Sequence, residues 1–162
     1  MIEHWDTFGL FSEIAIGVAG FSAVASALGG RERDFTEAEK TRVAMIFMCS
    51  GLILIGCFTL YVLDSAGLSA ENSIAAASLI VSFALLFFAA NLIPRTRKVV
   101  RAGNSTVSYS ALVLLSIYYI VCIPLCIANF AIFRAEWPLI FVFALTILIT
   151  LYVFHRLLVR SG

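Results

Sequence analysis

Glu13 is the ionisable residue that lies well inside an apolar run of this sequence. It comes five residues after the start of that run, which puts it about 8 Å below the surface of a bilayer at 1.5 Å per residue. A charged side chain in hydrocarbon is costly, so such residues usually face a protein interior or a wet cavity and serve a function. The alternative is a neutral or hydrogen-bonded glutamic acid at a helix contact, or one close enough to the lipid headgroups to be hydrated.

Two polar side chains in other apolar runs, Thr59 and Asn129, fall at a depth similar to that of Glu13. The three side chains could therefore meet as one polar cluster near the outer surface, or line a pore there. The alternative is that Thr59 bonds its own helix and Asn129 bonds a neighbouring helix, which are common ways to satisfy polar groups in membranes.

No pattern in the sequence points to catalysis or to a metal. The four cysteines, Cys49, Cys57, Cys122 and Cys126, lie in apolar runs, where reduced cysteine packs as a small apolar residue. A disulfide or a metal site among them is the alternative, although a metal would also need histidine or carboxylate ligands at the same depth. The HExxH and GxSxG motifs are absent from the sequence. We therefore expect no cofactor, no bound metal and no enzymatic activity.

The amino-acid composition indicates what kind of fold must position Glu13, Thr59 and Asn129. Of the 162 residues, 62% are hydrophobic and 13% are charged, whereas soluble domains have about 45–50% apolar and about 25% charged residues. This excludes a soluble enzyme, a nucleic-acid binder and a disordered chain. A helix needs roughly 20 apolar residues to cross a bilayer, and five runs qualify. The runs are 8–28, 43–63, 72–93, 109–133 and 138–158. The sequence predicts a single all-α domain, a bundle of five transmembrane helices.

The basic residues predict how this bundle is oriented. Every Lys and Arg except Arg134 falls in segments that would share one side of the membrane. The positive-inside rule then places the N-terminus outside and the C-terminus in the cytoplasm, and the composition is typical of small bacterial inner-membrane proteins. Four basic residues could contact anionic lipid headgroups, although their role in topology alone would explain them. They are Arg95, Arg97, Lys98 and Arg101.

Capping residues and prolines predict where individual helices begin and end. Thr36 and Glu39 have the spacing of a capping box, so the second helix should begin before its apolar run. Pro94 should end the third helix, and Pro138 suits the first turn of the fifth. Pro124, inside the fourth run, should kink that helix.

Small residues follow Glu13 along one face of the first predicted helix, at spacings of three or four. They are Gly17, Gly20, Ala23 and Ala27. Such residues let a second helix approach closely. We expect a homo-oligomeric channel or pore in which a ring of Glu13 carboxylates favours cations. The alternative is a non-conducting scaffold, sensor or accessory subunit of a larger membrane complex. The predicted partners are the lipid bilayer and other membrane proteins, not nucleic acid.

Overall fold

The computed structural model describes residues 2–29, 36–101 and 109–158, of which 93% are helical with no strands. The five helices are α1 (Trp5–Gly29), α2 (Glu37–Ser65), α3 (Ala70–Arg101), α4 (Tyr109–Ala128) and α5 (Glu136–Leu158). A π-helical turn, Asn129–Phe133, continues α4. Five helices in the described chain are long and apolar enough to cross a membrane, which confirms the predicted number of such helices.

Successive helices run in opposite directions, which gives the bundle two chemically different ends. The acidic end holds the start of α1, the turn between α2 and α3, and the start of α5. Its acids are Glu3, Asp6, Asp64, Glu71 and Glu136. The basic end holds the start of α2, the end of α3, the start of α4 and the end of α5. Of the basic residues predicted for that side, Arg31, Arg33 and Arg160 lie outside the described residues.

The central helix of the bundle is α2, which packs against α1, α3 and α5, while α4 packs against α3 and α5. Leu52, Val81 and Phe143 are among the core side chains that these helices bury. Large apolar residues such as Phe58 and Ile120 are exposed on the outer surface of the bundle. Such a surface suits lipid, because hydrocarbon solvates exposed phenylalanine and isoleucine side chains as well as a protein core does.

The local signals for the starts of α2 and α5 are confirmed. The Thr36 hydroxyl accepts a hydrogen bond from the Glu39 amide at 3.3 Å, and the Glu39 carboxylate accepts one from the Thr36 amide at 2.8 Å. This capping box satisfies two amides that have no partner within the helix. Pro138 lies in the first turn of α5, where its missing N–H costs no hydrogen bond.

The prediction that Pro94 ends the third helix is wrong, because α3 continues to Arg101. Leu92, Thr96 and Val99 are buried on both sides of the proline. Their packing keeps the segment helical, and it outweighs the lost backbone hydrogen bond. Tertiary burial thus overrides the local signal, and the basic residues that follow Pro94 lie on a helix up to Arg101.

Candidate functional site on the outward face of α1

Glu13 lies on the surface of the bundle, with its side chain exposed. The buried positions of α1, among them Phe8, Val18 and Ser22, lie on the opposite side of the helix at 100° per residue. That opposite side of α1 makes the contacts with α2 and α5. Glu13 therefore does not face the interior of a single copy of this chain.

The small residues that follow Glu13 share its outward orientation. Gly20, Ala23 and Ala27 are exposed and Gly17 is partly exposed. A Cβ added at either glycine would have no described atom within 4 Å. In the most apolar window of α1, 22% of residues are buried, compared with 44% in α2, α3 and α5. Nothing in the described part of the chain covers these small residues, and the larger side chains of Ile16 and Val24 are exposed beside them. We call Glu13, Gly17, Gly20, Ala23 and Ala27 the α1 face.

Thr59 and Asn129 are not joined to Glu13 by any hydrogen bond among the described residues. The partly buried Thr59 hydroxyl donates to the Ile55 carbonyl oxygen of its own helix at 2.7 Å. Asn129 is fully buried and bonds groups of α3 and of the turn before α5. The structure thus places the three predicted cluster residues in three different environments, with Glu13 exposed on α1.

Asn129 organises the connection between α4 and α5. Its Nδ2 donates to Ser78 Oγ at 2.8 Å and to the Ala135 carbonyl oxygen at 3.0 Å, and its Oδ1 accepts from the Ala135 amide at 3.1 Å. Its own carbonyl oxygen accepts from the amide of Arg134, a left-handed residue at φ 49°. One amide side chain satisfies the backbone of a tight turn and ties that turn to α3.

Glu136 makes a second connection, at the acidic end, which sequence reasoning missed. Its Oε1 accepts from the Glu3 amide at 2.7 Å, and its Oε2 accepts from the His4 amide at 2.9 Å. The His4 Nδ1 lies 2.7 Å from the same Oε2. The carboxylate therefore holds the residues before α1 against the start of α5. No local spacing could have indicated this, because the partners are more than 130 residues apart.

The four basic residues predicted to contact lipid headgroups are all exposed on α3 near the basic end. They are Arg95, Arg97, Lys98 and Arg101. Long basic side chains at a helix end can reach the headgroup region while their helix stays in hydrocarbon. Their position therefore suits the predicted contact with lipid heads, which stays a prediction.

All four cysteines are buried and reduced. The described residues contain no group of three or more His, Cys, Asp or Glu side chains that could hold a metal ion. Burial between helices is the packing role expected of a small, weakly polar side chain. The α1 face differs from the buried cysteines because it carries an exposed acid and because no described residue covers it. It is therefore the candidate functional site.

Comparison with known proteins gives no support for this assignment and no argument against it. A scan against models of known protein families, a search of curated proteins and a search of solved structures found no match to this chain.

Proposed function

We infer that this membrane protein is a homo-oligomeric cation channel whose protomers associate through the α1 face. The observation that carries the proposal is that Glu13 is exposed on the surface of the bundle, on a helix that is long and apolar enough to cross a membrane. A charged side chain in hydrocarbon costs up to about 3 kcal/mol on insertion scales. Several copies of α1 around a hydrated axis would remove that cost, since water and cations would then solvate the carboxylates.

The small residues support the same arrangement. Gly17 and Gly20 leave open space on the protomer, so a neighbouring helix could approach the backbone of α1 directly. Close approach would hold the Glu13 carboxylates of adjacent copies near one axis. A ring of carboxylates attracts cations and repels anions, which is a known basis of selectivity.

The test is the cation selectivity of purified protein in planar bilayers. We expect the wild type to conduct cations in preference to anions, and Glu13→Gln to lower that preference by removing the ring of charge. Glu71→Gln is the matched control, because Glu71 is an exposed acid of α3, away from the α1 face. It should leave the selectivity unchanged. Equal selectivity in wild type and Glu13→Gln, or no current from the wild type, contradicts the proposal.

The second candidate is a non-conducting subunit of a larger membrane complex, with the α1 face covered by another protein. A single helix face of small residues favours it as well as it favours self-association, because any partner helix with a hydroxyl or basic group could pair with Glu13. Purification from the native membrane separates the two. A homo-oligomer supports the channel, whereas a different protein in fixed stoichiometry supports the accessory subunit.

A further inference from the structure

A groove of about 310 Å³ opens between α4 and α5 near the basic end of the bundle. Leu114 and Val121 of α4 and Leu148 of α5 form its exposed walls, and the start of α2 forms its buried floor. Its volume lies at the lower end of the range of small-molecule sites, about 300–1,000 Å³. The groove lies outside the α1 face, so its role does not depend on the proposed channel.

The charged side chains that the described residues contribute to the groove are basic and lie at one end. Its charged lining residues in the described chain are Arg42 and Arg156, and no described acid lines it. Arg42 is only 8% exposed. Arg156 Nε donates to the Tyr152 hydroxyl at 3.3 Å, which holds the guanidinium beside the groove.

The remainder of the groove is apolar and about as long as one bilayer leaflet is thick. Along α5 the lining runs from Leu145 to Arg156, a distance of about 16 Å at 1.5 Å per residue. The hydrocarbon core of a bilayer is about 30 Å thick, so that of one leaflet is half as thick. An apolar slot of this depth with two guanidinium groups at its headgroup end has the dimensions and the charge of a lipid site.

We propose that this groove binds an anionic phospholipid, with an acyl chain between α4 and α5 and the phosphate held by Arg42 and Arg156. The guanidinium group suits phosphate because its fork of N–H donors can bond two oxygens at once. Basic pockets between transmembrane helices are a recognised setting for anionic headgroups. A free phosphate ion would use the arginines and leave the apolar slot empty, so the lipid accounts for both parts of the groove.

Native mass spectrometry of the purified protein in detergent tests this proposal. The probes are phosphatidylglycerol and phosphatidylcholine with identical acyl chains, and inorganic phosphate. We expect the wild type to bind phosphatidylglycerol more tightly than phosphatidylcholine. Arg42→Gln and Arg156→Gln should each weaken phosphatidylglycerol binding roughly fivefold, since one basic residue contributes about that factor toward an anionic lipid.

Two further variants separate a defined site from general attraction between charges. Lys40→Gln removes a positive charge from the same helix end, but Lys40 is exposed and does not line the groove, so binding should be unchanged. Leu148→Trp fills the slot and should weaken the binding of both lipids. If Arg42→Gln fails to fold, Leu148→Trp and Arg156→Gln still test the proposal.

Three results would overturn the proposal. One is equal affinity of the wild type for the two lipids. Another is a loss of binding in Lys40→Gln as large as that in Arg156→Gln, which would indicate a diffuse surface charge. The third is displacement of phosphatidylglycerol by inorganic phosphate with no effect of Leu148→Trp, which would indicate a site for a free anion.

Discussion

Among single residues, Gly56 lets the central helix approach Val81 of α3 and Phe143 of α5 closely. A Cβ at this position would lie 3.0 Å from Val81 Cγ2 and 3.1 Å from Phe143 Cε1. We expect Gly56→Ala to lower the free energy of unfolding by about 1–3 kcal/mol, as overpacking usually does. Gly51→Ala is the matched control, since its Cβ would meet no described atom within 4 Å. Denaturation in mixed micelles should show no loss for the control, and equal losses would contradict this role of Gly56.

Asn129 provides a second residue-scale prediction, because its fully buried side chain makes three hydrogen bonds. Asn129→Ala should lower the free energy of unfolding by about 2 kcal/mol, since it leaves Ser78 and the backbone of Ala135 with fewer partners. The control is Asn91→Ala, which removes a single bond to the Phe87 carbonyl oxygen of its own helix. If Asn129→Ala changed ion selectivity with unaltered stability, Asn129 would belong to a pore and not to the turn.

At the scale of the helices, the sequence predicts what local spacing decides and misses what distant partners decide. The five spans and the Thr36 cap depend on residues close in sequence, and both predictions hold. The prediction that α3 ends at Pro94 is wrong, because the residues on both sides of the proline are buried and keep the segment helical. The spacing after Glu13 shows that the small residues share a face of α1, but not that this face points outward. That depends on which side of α1 contacts α2 and α5.

The contact between α1 and α5 at the acidic end leads to a prediction about these two elements. Glu136→Ala removes acceptors for the Glu3 and His4 amides, so the first turns of α1 should exchange their amide hydrogens faster. We expect stability to fall by about 1–2 kcal/mol, because hydrogen bonds to a charged acceptor are stronger than neutral ones. Glu71→Ala also removes an acid from the first turn of a helix at this end. Hydrogen exchange in α1 that is equally fast in both variants would contradict the contact.

At the scale of the whole molecule, the separation of charge between the two ends should determine how the bundle inserts. Positively charged loops and helix ends are retained in the cytoplasm, so the basic end should lie inside and the acidic end outside. Ala66 and Lys98 are exposed at opposite ends of the bundle. We expect Ala66→Cys to react with a membrane-impermeant maleimide on intact bacterial cells, and Lys98→Cys to react only after permeabilisation.

The native protein is the control for that labelling, because its four cysteines are buried and should give a low background under both conditions.

The orientation also determines where the two proposed sites act. With the basic end inside, the Arg42 and Arg156 groove would draw its lipid from the cytoplasmic leaflet, where anionic headgroups attract basic residues. Glu13, nearer the acidic end, would then meet cations arriving from outside. Labelling of Lys98→Cys on intact cells would reverse both assignments and contradict the orientation predicted from charge.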